Sequence, residues 1–167
     1  MNILYAPWRS KYAKSINKTK KEICTENTCV FCQHFSEKND ATNFILKRYK
    51  NSIVMLNLYP YNAGHLLVIP KKHKPDLDKL TKEERSELME VVNTCTKILK
   101  KVLQPEGFNI GMNLGKLAGA GIPSHLHIHI LPRWLGDTNF LPLLAETKQI
   151  SFDLKDIYTK LKKEFSK

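Results

Sequence analysis

Apolar residues follow two different periods along this chain. Three runs of strand length near the middle are separated by turn-forming residues, Lys50-Asn51 after the first and Pro60 within the loop after the second. These runs predict three consecutive strands at residues 44–49, 52–57 and 65–69. Two further runs, at residues 108–112 and 126–131, predict two more strands.

Two longer stretches have helical spacing. Thr81 with Glu84 three residues later forms a capping box, and Pro105 and Gly107 end the helix that it opens. The buried stripe of this helix is predicted to contain Leu88, Val91, Val92, Cys95, Ile98, Leu99 and Val102. From Ser151 a second amphipathic helix presents Leu154, Ile157, Tyr158, Leu161 and Phe165 on one face. The order β-β-β-α-β-β-α predicts an α+β fold, an antiparallel five-stranded sheet flanked by helices.

Length and composition indicate a single domain. The chain has 167 residues, of which 42% are hydrophobic and 26% charged, which suffices for one core. We divide it into an N-terminal arm with a short loop module (1–40), a core (41–135) and a C-terminal loop and helix (136–167). The chain contains no apolar run of transmembrane length and no secretory signal pattern at its start, so we expect a cytoplasmic protein without membrane contact.

The formal charge of +11 raises the question of nucleic-acid binding. The lysines are spread over several small clusters without interleaved aromatic residues, which favours a solvated surface over a nucleic-acid platform. A positive field would still attract a small polyanionic substrate. Nucleic acid therefore ranks below a nucleotide as a predicted partner.

The candidate chemistry is concentrated in the segment Ser-His-Leu-His-Ile-His-Ile-Leu-Pro-Arg. His125, His127 and His129 occupy alternate positions of a predicted strand and so project from one face at intervals of about 7 Å. Imidazole is suited to proton transfer, nucleophilic attack and metal ligation near neutral pH. Immediately before this row lie Gly115, Gly119 and Gly121, whose backbone amides could approach an anion closely.

Cys29-Val-Phe-Cys32 is a second candidate. A single Cys-x-x-Cys supplies half of a zinc site, and redox pairs share the same spacing. The β-α-β context of a thioredoxin-like redox pair is absent around it, so metal binding is favoured. Cys24 and His34 are alternative ligands, although each is also typical of a surface residue. Cys95 lies in the apolar stripe of the long helix, as a buried core thiol does.

The histidine segment resembles the signature of the histidine triad (HIT) superfamily at every position. Asn57 and the segment from Gly64 to Pro70 resemble the ribose-binding and core strands of that family, and the resemblance extends from Cys29 to Asn139. The segments at residues 5–9 and 133–140 resemble a bacterial branch of diadenosine polyphosphate phosphorylases and hydrolases. The resemblance implies a HIT-like fold that dimerises into a continuous sheet.

The resemblance also implies roles for individual residues. His127 would attack the α-phosphorus of a nucleotide and form a covalent nucleotidyl-histidine, and His129 would stabilise charge on the phosphate oxygens. The implied structural zinc site is Cys29, Cys32, His73 and His125. The implied nucleotide-binding residues are Asn57 on the ribose, Asn113, Gly119, Gly121 and Ser124 on the phosphates, Val30, Phe31 and Leu56 on the base, and His65.

The chain departs from the better-known family members just before the triad. Those members carry Gly-Gln-Ser or Gly-Gln-Thr, whereas this chain has Ala120-Gly-Ile-Pro-Ser124. Backbone amides near Gly119 and Gly121, or the Ser124 hydroxyl, would then replace the missing amide side chain. We therefore predict a hydrolase or phosphorylase of dinucleoside polyphosphates such as diadenosine tetraphosphate. The alternatives are a nucleotide-binding module with little turnover and a phosphoramidase-like hydrolase.

Overall fold

The computed structural model describes residues 25–37, 39–137 and 152–167. Within them, five strands form one antiparallel sheet in the order β1-β2-β3-β5-β4. The predicted fold class is confirmed. The strands are β1 (Ile45–Arg48), β2 (Ser52–Leu56), β3 (Leu66–Pro70), β4 (Gly107–Met112) and β5 (Ile128–Arg133).

Helix α2 (Lys82–Leu103) covers one face of the sheet, and α3 (Leu154–Phe165) packs against both α2 and β1. The predicted capping box is present, since the Thr81 hydroxyl accepts from the Glu84 amide at 3.2 Å and the Glu84 carboxylate accepts from the Thr81 amide at 2.8 Å. The predicted stripe forms the core under α2, where Leu88, Cys95 and Leu99 are buried. Burial raises the pKa of the Cys95 thiol, as a core role requires.

The opposite face of the sheet carries a smaller apolar cluster. Ile53 and Met55 of β2 and Leu67 and Ile69 of β3 point to this side and pack with Phe31. Alternation along each strand separates this cluster from the α2 core. The second face is the one that holds the candidate site.

Two predicted boundaries are wrong for identifiable reasons. The sequence predicts an arm and a loop up to residue 40, but Val30–Ser36 forms a helix, α1. Its seven residues are too few for an amphipathic pattern to be recognised. The strand predicted from Leu126 begins only at Ile128, because the Leu126 amide donates to the Lys74 carbonyl at 2.7 Å instead of joining the ladder.

No helix among the described residues is long and apolar enough to cross a membrane. The segments at residues 5–9 and 138–140, and Cys24 and Ser151, lie outside the described residues. The described part of the 133–140 segment forms a turn in which Asp137 accepts two hydrogen bonds from the Arg133 guanidinium.

Candidate functional site

Four potential metal ligands meet on the α1 side of the sheet. Cys29 and Cys32 belong to the N-cap and first turn of α1, His73 follows β3 and His125 precedes β5. Their ligand atoms all lie within 4.8 Å of one another. His34 lies on α1 but outside this group.

The distances within the group fit a tetrahedral zinc site. The Sγ to Nδ1 distances are 3.4 Å for Cys29 to His125, 3.4 Å for Cys32 to His73 and 3.5 Å for Cys32 to His125. Zinc bonds of about 2.3 Å to sulfur and about 2.0 Å to nitrogen at tetrahedral angles place S and N about 3.5 Å apart. The His125 Nε2–H donates to the Pro70 carbonyl at 2.8 Å, which leaves Nδ1 with a lone pair toward the cysteines. Burial lowers the pKa of His125 to about 4, so its ring is neutral at neutral pH.

His127 lies beside this group with its tautomer set by the backbone. Its Nδ1–H donates to the carbonyl oxygen of His125 at 2.8 Å, so Nε2 keeps an unprotonated lone pair. Burial lowers the pKa of the His127 imidazole, and the side chain is only 6% exposed. A neutral imidazole with a fixed lone pair is the form required of a nucleophile.

His129 is oriented by a chain of hydrogen bonds through the buried His65. The Tyr61 amide donates to His65 Nδ1 at 3.1 Å, so the His65 proton is on Nε2. This Nε2–H donates to His129 Nδ1 at 2.9 Å, which places the His129 proton on its own Nε2. The rings of His127 and His129 are 5.0 Å apart between centroids. Two neighbouring rings therefore differ in their free nitrogen, which carries a lone pair in His127 and a proton in His129.

Asn57 helps to build the loop that leads into β3. Its Oδ1 accepts from the Tyr59 amide at 3.0 Å, and its Nδ2 lies 3.3 Å from His65 Nδ1. The side chain is partly exposed, and an amide oxygen has a second lone pair that a ribose hydroxyl could use. The ribose contact stays a prediction.

Two glycines of the loop before β5 have the left-handed backbone conformation that favours glycine. Gly115 and Gly119 have φ of +83° and +90°, and a Cβ at Gly119 would lie 3.7 Å from the Asn113 side chain. The hydroxyl oxygen of Ser124 is buried and has no hydrogen-bond partner among the described residues. An unpartnered buried hydroxyl is costly, and a phosphate oxygen would satisfy it. Gly121 lies between them in a bend.

The three predicted base contacts differ in position. Val30 is 47% exposed, and Phe31 is buried against the rings of His125 and His127. The structure corrects the prediction for Leu56, which is fully buried in the core under α2, on the sheet face opposite to His127. Its neighbour Met55 lies on the site face.

Sequence reasoning missed two contributors that act through the backbone. The His125 carbonyl and the Tyr61 amide set the tautomers of the reactive rings. The Tyr61 ring also lies nearly parallel to that of His129, with an interplanar angle of 16°. Backbone groups have no sequence signature, although Tyr61 precedes the Gly64-His65 pair by only a few residues.

A family model, curated relatives and solved structures all relate this chain to histidine triad proteins. Residues 37–134 match the model of the HIT domain. A relative from Mycobacterium tuberculosis, named AP-4-A phosphorylase, is 34% identical over 164 residues, which cover 98% of this chain and 84% of the relative. A relative from Schizosaccharomyces pombe, named bis(5'-nucleosyl)-tetraphosphatase (asymmetrical), is 38% identical over 63% of this chain and 57% of its own length.

The fold has solved counterparts. A Zn-bound histidine triad family protein from Mycobacterium smegmatis superposes with a TM-score of 0.69 at 27% identity, over 85% of this chain and 96% of that chain.

Proposed function

This chain belongs to the HIT family, and we propose that it is an enzyme that cleaves dinucleoside polyphosphates, with diadenosine tetraphosphate as a substrate. The observation that carries the proposal is His127, whose Nδ1–H is held by the His125 carbonyl and whose Nε2 is therefore nucleophilic. The names of the Mycobacterium tuberculosis and Schizosaccharomyces pombe relatives support this substrate class.

The reaction follows from the two tautomers. His127 Nε2 attacks the α-phosphorus, the bond from that phosphorus to the bridging oxygen breaks, and ATP leaves while AMP stays bonded to His127. The His129 Nε2–H donates to the phosphoryl oxygens as charge develops on them. Water or inorganic phosphate then attacks the phosphorus, the N–P bond breaks, and AMP or ADP is released.

The surrounding residues bind the substrate. Asn57 contacts the ribose, and Val30 and Phe31 contact the base. Asn113, Gly119, Gly121 and Ser124 contact the phosphates, a role supported by the positive φ of Gly119 and by the buried Ser124 hydroxyl. His65, which the resemblance places among the nucleotide-binding residues, is fully buried and donates to His129, so its proposed part in nucleotide binding is to orient His129.

The cluster of Cys29, Cys32, His73 and His125 holds zinc. Zinc in a closed set of this kind supplies structural cohesion, because no coordination position is open to activate water. The protein forms a homodimer through the exposed edge of β4, where Ile110 is 48% exposed.

The test is incubation of the purified protein with diadenosine tetraphosphate, with and without inorganic phosphate. ADP plus ATP that appear only with phosphate identify phosphorolysis, and AMP plus ATP identify hydrolysis. Adenosine 5'-phosphoramidate is the comparison substrate, and a higher kcat/KM on it would favour a phosphoramidase instead. Absence of cleavage in both buffers by zinc-loaded protein would overturn the proposal.

A further inference from the structure

His125 contacts both the metal-ligand cluster and the nucleophile. Its ring Nδ1 faces the two cysteines, its ring Nε2 donates to the Pro70 carbonyl, and its own carbonyl accepts from His127 Nδ1. A backbone displacement at His125 that accompanies the loss of its ring contacts would therefore move the carbonyl that holds the His127 tautomer. The His125 side chain is part of the metal-ligand cluster, and its backbone carbonyl holds the nucleophile His127.

Phe31 makes a second link between the same two groups. It lies between Cys29 and Cys32 on α1 and is 6% exposed. Its ring contacts His125 edge-on at 5.5 Å and His127 at 5.3 Å, centroid to centroid. The helix that supplies two metal ligands thus also packs against the nucleophile.

Helix α1 depends on these contacts for its position. It has seven residues, and its N-cap Cys29 makes no side-chain capping hydrogen bond. Helices of this length are unstable on their own in water. Without a metal on Cys29 and Cys32, tertiary packing alone would hold Phe31 against His127.

We infer that the Cys2His2 centre positions the nucleophile, through the His125 carbonyl and the Phe31 ring, in addition to stabilising the fold. The inference rests on the proposed function of His127. Metal loss should lower kcat by about 10-fold to 10²-fold, the range found when groups that orient a reactive site are removed. KM should rise as well, because the proposed base contacts Val30 and Phe31 lie on α1. The ribose contact Asn57, which follows β2, and the phosphate contacts on the glycine loop lie outside that helix.

The tautomer of His127 gives a readout that needs no turnover. In ¹⁵N-histidine-labelled wild-type protein with zinc, His127 should show a single Nδ1–H form. The zinc-free variants His73→Ala and Cys32→Ser should show a mixture of Nδ1–H and Nε2–H forms in His127 and the same drop in kcat. His73 is useful because it lies on a loop outside α1.

Two controls separate positioning from general stability. Leu161→Ala opens a cavity in the core beside α3, far from the ligands, and should lower the unfolding temperature while leaving the His127 spectrum unchanged. Cys32→Asp keeps a ligand atom and should retain zinc, the single tautomer and most of kcat. This variant also keeps the test available if the zinc-free variants fail to fold.

Three results would overturn the inference. The first is a folded, zinc-free variant with the wild-type His127 tautomer. The second is a fall in kcat no larger than that of Leu161→Ala at equal loss of stability. The third is a zinc-loaded Cys32→Asp variant in which His127 has lost its single tautomer. If wild-type protein cleaves no dinucleotide, the proposed function fails, whereas the spectra still report whether the metal holds the His127 ring.

Discussion

At the scale of single residues, the site works because each imidazole has one nitrogen committed to a defined partner. His125 and His127 donate to carbonyl oxygens, and His65 donates to His129. Each of these hydrogen bonds determines which ring nitrogen remains available to bind metal, attack phosphorus or donate a proton. Three rings of the same residue type thereby become a metal ligand, a nucleophile and a hydrogen-bond donor.

Substitution of His127 should abolish the covalent step while leaving binding intact. We expect His127→Ala to lower kcat on the order of 10⁴-fold, because the bond that it forms exists only along the reaction path. Rapid-quench trapping with labelled substrate and peptide mapping should locate the adduct on this residue. An adduct on His129 or His65, or normal turnover by the variant, would place the chemistry on another histidine.

His65 should act through His129. We expect His65→Leu to lower kcat about 10-fold to 10²-fold with little change in KM, because His129 loses the donor that sets its tautomer. His65→Gln can still donate from its amide and should recover part of the loss. Equal losses in the two variants would indicate a packing role only.

At the scale of elements, α3 is held to α2 by an ion pair as well as by apolar packing. Glu164 accepts from Lys101 at 2.7 Å and from Lys167 at 2.5 Å. These hydrogen bonds lower the pKa of Glu164 to about 2. The folded-state pKa lies below the unfolded value, so the stabilisation is present above about pH 4.5 and is lost as the pH falls toward 2.

Glu164→Gln tests this dependence. The variant should unfold at a lower temperature than wild type at pH 7, and the difference should shrink between pH 4.5 and pH 2. High salt should also reduce the difference in unfolding temperature, since the lysine side chains of these ion pairs are exposed to solvent. A difference that stays constant from pH 7 to pH 2 would contradict the assignment.

Long elements were predictable from the pattern, and short ones were not. The capping box and apolar stripe of α2 extend over more than five turns, so the period is unambiguous. Helix α1 and the late start of β5 depend on tertiary contacts, namely the ligand cluster and the Leu126 bond to the Lys74 carbonyl. Alternation still placed His127 and His129 on one face, as the 5.0 Å separation of their ring centroids shows.

The error at Leu56 has the same origin. Every residue of β2 is buried, so hydrophobicity alone cannot tell the site face from the core face. The contact of His73 with the cysteines could be predicted only from the family resemblance, because 41 residues separate His73 from Cys32. Sequence spacing carries no information about such a contact.

At the scale of the whole molecule, β4 leaves one edge of the sheet open to a second copy. Among the described residues it pairs only with β5, and Asn109, Ile110 and Gly111 are exposed. We expect sedimentation to show a dimer whose two sheets join through β4. A lysine at a strand edge opposes such pairing, so Ile110→Lys should give folded monomers.

Met89→Lys is the matched control for the dimer. Met89 is 58% exposed on α2, away from the sheet edge, so this variant should remain dimeric. Wild-type protein that sediments as a monomer at micromolar concentrations would contradict the β4 interface.

The strand order has a consequence for the time course of synthesis. Because β5 inserts between β3 and β4, the ligand cluster is completed only when the chain reaches His125, 93 residues after Cys32. At a synthesis rate of about 5–20 residues per second, about 5–20 seconds pass between the synthesis of Cys32 and that of His125. During that interval the nascent chain exposes both thiols, whereas the finished protein buries Cys29 and leaves Cys32 only partly exposed, so an oxidant reaches this pair most readily before the chain is complete.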